Sequence, residues 1–106
     1  MSRAEIKSML DGIGIPSVHM AWRRDSAPPL PWAVFCLDDD AHLCADDRRW
    51  HSHPRWRIEL YQSCSDVSLE EALEDALVAR YGDYYKEEVW VDEEDCLMTS
   101  YIFTQL

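Results

Sequence analysis

Glycine is scarce in this sequence, with three among 106 residues. A loop that cradles phosphate on successive backbone N–H groups needs glycines at fixed spacing, and neither GxGxxG nor GxxxxGKS/T is present. Basic residues are also few: 10 against 21 acidic ones, for a formal net charge of −11. Nucleic acid and anionic membrane surfaces are gripped by Lys and Arg that displace counterions, so neither is an expected ligand. No apolar run approaches the roughly 20 residues of a membrane span. Cys36, Cys44, Cys64 and Cys96 form no CxxC pair, and no secretory signal leads the chain. A disulfide framework is therefore not expected, and a reducing compartment is. A GxSxG elbow is missing too, which removes the usual setting of a nucleophilic serine.

What is present points to a folded core. Apolar residues make up 47% of the chain, with five Trp and five Tyr. Aromatic side chains bury large areas each, so a short chain of this kind resists disorder. The length suits one domain over residues 1–106, burying about two thirds of its unfolded surface.

Hydrophobic spacing orders the elements. Ser2 and Glu5 form a capping box ahead of Ile6, Met9, Leu10 and Ile13 at helical spacing, and Gly12, Gly14 and Pro16 stop that helix. Ser17 to Trp22 can form a short strand. Ala27-Pro28-Pro29-Leu30-Pro31 is barred from helix and connects to Trp32–Leu37, a continuous apolar run that suits a buried strand. A polar loop, Asp38 to Asp47, follows. From Trp50 to Leu60 the pattern has period two. Trp50, Trp56, Ile58 and Leu60 share one face and His51, His53, Arg55, Arg57 and Glu59 the other, with a break expected near Pro54. Ser68 and Glu71 make a second capping box, Leu69, Ala72, Leu73, Ala76 and Leu77 an apolar stripe, and Gly82 a C-terminal cap. Two strands, Tyr84 to Val91 and Cys96 to Thr104, are joined by the acidic turn Asp92-Glu93-Glu94-Asp95 as an antiparallel hairpin. The order predicts an α+β single domain: a mostly antiparallel four- to five-stranded sheet with two α-helices packed on one face.

Site chemistry is sparse. His51 and His53 point the same way on a strand, and His42, Cys44 or Asp46 could complete a zinc site. No second ligand pair at finger-like spacing supports this, and two solvent-facing histidines explain the pattern better. Cys64 stands before a helix start, where a thiolate can be stabilised, but its setting is a plain strand-to-helix turn. Asp38-Asp39-Asp40 lacks the regular spacing of a calcium loop. The expectation is a protein without catalytic, metal or cofactor residues.

The charge distribution is more informative. Six of eight arginines (Arg23, Arg24, Arg48, Arg49, Arg55, Arg57) lie in the middle of the chain, and Asp66 to Glu94 is dense in carboxylates. Two solvated faces are the plain explanation, while a basic and an acidic flank can also meet head to tail between copies. Arg48, Arg49, Arg55 and Arg57 on one side, and Glu70, Glu74, Asp92, Glu93 and Glu94 on the other, are the interface residues this second explanation selects. Of the five tryptophans, those beyond the core's needs are candidate interface anchors.

The order of short motifs resembles small phage and prophage minor tail proteins of the tail-terminator, or tail-completion, family. A short first helix precedes Pro28-Pro29-Leu30-Pro31 and the apolar Trp32-Ala33-Val34-Phe35. Cys44-Ala45-Asp46-Asp47 and Arg57-Ile58-Glu59-Leu60-Tyr61 follow, then a helix and a final hairpin; the match spans nearly the whole chain. The resemblance implies an α+β subunit of the virion tail, put together in the bacterial host cytoplasm as a ring, commonly a hexamer. Its implied partners are further copies of itself, the tail tube protein and a head-completion or connector protein. No enzyme activity, cofactor, specific nucleic-acid binding or membrane contact is implied. A small acidic inhibitor or immunity-like module acting on a basic partner is the alternative, and a metal enzyme built on His51 and His53 a third.

Overall fold

The computed structural model describes residues 3–20, 28–37 and 55–104. Among them the chain forms α1 (Arg3–Ile13), β1 (Ser17–His19), β2 (Trp32–Leu37), β3 (Arg55–Gln62), α2 (Val67–Tyr81), β4 (Tyr85–Val91) and β5 (Cys96–Thr104). The strands join in one sheet of order β1-β2-β3-β5-β4, parallel between β1 and β2 and antiparallel elsewhere. This is the α+β single-domain fold expected from the sequence. No described helix is long and apolar enough to cross a membrane.

Strand β3 is the spine. Its residues alternate strictly, with Trp56, Ile58, Leu60 and Gln62 buried and the odd positions more open. The register carries that face across the sheet: Ile58 pairs with Phe35 and Tyr101, Trp56 with Phe103, and Leu60 with Ala33. Ile6, Met9 and Leu10 of α1 and Leu73, Leu77 and Tyr81 of α2 close over it in one apolar cluster, so both helices cover the same face. Tyr81 stacks on Phe103 with ring centroids 4.6 Å apart, extending the cluster to the end of β5.

The ends of α1 follow from backbone needs. Gly14 sits at φ 95, where a residue without Cβ is unstrained. Its N–H reaches Leu10 and Asp11 carbonyls, and the Ile15 N–H donates to the Leu10 carbonyl at 3.1 Å. That is a Schellman cap, with Ile15 and Leu10 both buried beside it. Lys7 ties the helix to β1, donating to the Ser17 carbonyl at 2.8 Å and its hydroxyl at 3.2 Å. Ser2, half of the expected capping box, lies outside the described residues. Strand β1 is shorter than the expected Ser17–Trp22: Met20 turns to φ 77 and its N–H donates to the Phe35 carbonyl.

Helix α2 corrects two expectations. Its N-cap is Asp66, whose carboxylate accepts from the Leu69 N–H at 3.2 Å, so Ser68 lies inside the first turn. A capping box would have the third helical residue reach back to the cap N–H; here Gln62 of β3 takes that part, its Oε1 accepting from the Asp66 N–H at 3.1 Å. The second correction is partial: Leu73 and Leu77 of the expected stripe are buried, and Leu69 and Ala76 pack against the core. The buried side of α2 is Glu70, Leu73, Leu77 and Tyr81, while Ala72 of the expected stripe is exposed. Gly82 ends the helix as expected, at φ 91, donating its N–H to the Val78 carbonyl. Asp66→Ala is expected to lower stability by about 1 kcal/mol, read as a shift of the urea midpoint.

Candidate interaction surface

Beneath α2 the buried Glu70 begins a polar network. Its Oε2 accepts from Gln62 Nε2 at 2.9 Å and Ser65 Oγ at 3.0 Å, and Lys86 Nζ lies 3.4 Å from Oε1. One helical turn on, Glu74 Oε2 accepts from Lys86 Nζ at 2.7 Å and from the Tyr101 hydroxyl at 2.9 Å. Lys86 is carried on β4 opposite Tyr101 and reaches both carboxylates of α2 while its side chain stays 33% exposed. Two carboxylates one turn apart thus share one ammonium.

The electrostatics follow from those contacts. Burial pushes Glu70 up, but hydrogen bonds from Gln62, Ser65 and Lys86 outweigh it and hold the carboxyl below its ordinary range. Glu74 is likewise pushed up by burial and pulled further down by Lys86 and Tyr101. The hydrogen bond to Glu74 raises Lys86, against the opposing effect of burial. Lowered carboxyl values mean stability that is complete above the unfolded range near pH 4 and lost as pH falls through the folded values. The raised lysine contributes stability complete below about pH 10.4 and lost as pH rises through its folded value. Thermal scans are therefore expected to show a plateau between these limits. Lys86→Met should shrink the loss at both ends.

The network redefines the predicted interface set. Glu70 and Glu74 were expected at a contact between copies, yet both are engaged within the chain: the Glu70 side chain is 8% exposed and that of Glu74 20%. Lys86 of β4 pairs with both, a counter-charge that the helix pattern alone does not reveal. Asp92, Glu93 and Glu94 are exposed at the hairpin tip. There Asp95 takes a left-handed φ of 54, which aspartate tolerates. Arg55 is exposed and Arg57 half-buried, its Nη1 3.7 Å from Glu59 Oε2. Both arginines stand on the sheet face away from the helices. Arg48 and Arg49 lie outside the described residues, as do Cys44, the proposed zinc partners and the Asp38–Asp40 run.

That second sheet face bears a row along β3 of Arg57, Glu59 and Tyr61. The Tyr61 hydroxyl donates to Glu59 at 3.0 Å, and Trp32 lies against the Tyr61 ring at 4.6 Å. Burial, then the Glu59 carboxylate, push the Tyr61 phenol far up. The tryptophans differ in exposure. Trp56 is core, Trp32 is half-buried, and Trp90 on β4 is 49% exposed; Trp22 and Trp50 lie outside the described residues. Among the described residues no group of three or more His, Cys, Asp or Glu converges as metal ligands. Cys64 and Cys96 are free thiols, with Cys64 exposed.

Sequence reasoning missed Gln62, Ser65, Lys86 and Tyr101 as a unit. Two signals were there: Glu70 and Glu74 stand one turn apart, and Lys86, one of two lysines in the chain, has the strand parity of Tyr84. In comparisons with known proteins, no family model, curated protein or solved structure matches the chain.

Proposed function

We propose that this chain is a structural subunit of a phage or prophage tail, closing the tail tube as a ring, ending tube polymerisation and joining the tail to the head-completion proteins. The observation that carries the reading is the exposed acidic hairpin tip, Asp92 to Glu94, on the same sheet as outward-facing Arg55. Opposite charges on separated parts of one subunit favour a closed head-to-tail contact between copies. The motif order along the chain supports the same reading. An acidic wall also suits a passage for DNA, because it does not grip phosphate. The acidic tip equally suits an inhibitor of a basic partner, which is the second reading.

Sedimentation of the purified chain at low and high salt tests the contact. Assemblies that form at high concentration in low salt and weaken as salt rises are expected. A chain that stays monomeric at high concentration in low salt contradicts a self-assembling ring.

A further inference from the structure

Strand β4 is an edge of the sheet: β5 is its only neighbour among the described residues. Seven residues long, it is exposed from Tyr85 to Trp90 and half-buried only at Val91. Edge strands are normally blunted by short length, proline, a bulge or an outward lysine, because their free N–H and C=O groups template pairing. Here the register with β5 is unbroken from Tyr85 to Val91, there is no proline, and the ammonium of the one lysine is engaged by Glu70 and Glu74 of α2. Tyr85, Val89 and Trp90 remain 61%, 44% and 49% exposed. Alongside them stand the exposed Glu87 and Glu88, and the acidic tip continues the line. At the other end a cleft of about 460 Å³ opens among Tyr81, Tyr84, Tyr85 and Phe103.

We infer that β4 is a docking edge for an extended basic strand of a different protein, which adds to the sheet beside it. Main-chain bonds to a free edge supply affinity, and alternate side chains supply selectivity. Lysine or arginine opposite Glu87, Glu88 and the hairpin tip matches the charge. Apolar residues opposite Val89 and Trp90, and one seated in the tyrosine cleft, cover the exposed hydrophobic area. A second copy fits poorly. Symmetric pairing centred on β4 sets Glu88 against its own counterpart and joins two chains of net charge −11. The opposite edge, β1, has three residues and cannot pair along all of β4. Docking of this kind rests on the assembly role proposed above, yet the two can fail separately, since peptide capture and tail length are read in different experiments.

The probe is a capped synthetic peptide that pairs antiparallel with β4, with lysines opposite the carboxylates and valine or phenylalanine opposite the apolar positions. Titration into the full chain is expected to change Trp90 fluorescence and to slow amide exchange in β4. Glu87→Lys with Glu88→Lys, both at exposed positions, should weaken binding about tenfold or more while leaving the fold's circular dichroism unchanged. A control peptide with glutamates for lysines should not bind. Binding without slower exchange in β4 overturns the inference, as does equal binding of both peptides. Self-association of the free chain that the same double substitution abolishes also overturns it, in favour of a second copy.

Discussion

Lys86→Met is expected to destabilise the protein by about 2 to 3 kcal/mol, because it strips the shared counter-charge from two carboxylates under α2. Glu70 is 8% exposed, so its charge cannot turn to water without lifting the helix. Glu74 keeps Tyr101 as a donor at 2.9 Å, which limits the loss. The diagnostic is non-additivity. In the wild type, Glu70→Gln removes a bonded carboxylate and destabilises; in the Lys86→Met background the same change removes an unpaired charge and should recover on the order of 1 kcal/mol. Urea unfolding of the four proteins measures this coupling. Simple addition of the two single effects would mean that the network is held by the neutral donors Gln62 and Ser65 alone.

The other large effect belongs to the apolar core. Leu73→Ala should cost about 2 to 5 kcal/mol, a substantial part of the roughly 5 to 15 kcal/mol available to a domain of this size. Leu73 is fully buried within the cluster that joins α2 to the inner sheet face. Its neighbour Ala72 is exposed, so Ala72→Lys should stay within about 0.5 kcal/mol of wild type. This contrast of adjacent residues fixes the helix's rotation in solution, since an α2 buried along the predicted stripe would tolerate neither change.

That rotation shows where sequence patterning stops. Period two in β3 was legible because burial there is decided by alternation alone, and the cooperation of Gly14 and Gly82 in ending helices was legible because it is local. The element order followed from those two kinds of signal. In α2 the apolar stripe was legible at Leu69, Leu73, Ala76 and Leu77, but the inward place of Glu70 and Glu74 was not: a glutamate four residues from another looks like a solvated face unless a lysine 16 positions along the chain is known to return to it. The N-cap moved to Asp66 for a similar reason, since Gln62 on the preceding strand receives the cap N–H. In the candidate surface, Asp92 to Glu94 were readable as an exposed turn. The openness of β4 was not, because only the strand order shows that it forms the edge.

The corrections narrow the acidic side of the assembly reading. Glu70 and Glu74 brace α2 against β4, while the hairpin tip, Glu87 and Glu88 are among the carboxylates that stay exposed. Electron microscopy of phage tails made with and without this gene tests the central claim most directly. Overlong tails in its absence, restored to normal length by the intact gene, are the predicted result. Tails of unchanged length, carried on complete and head-joined virions, would contradict it.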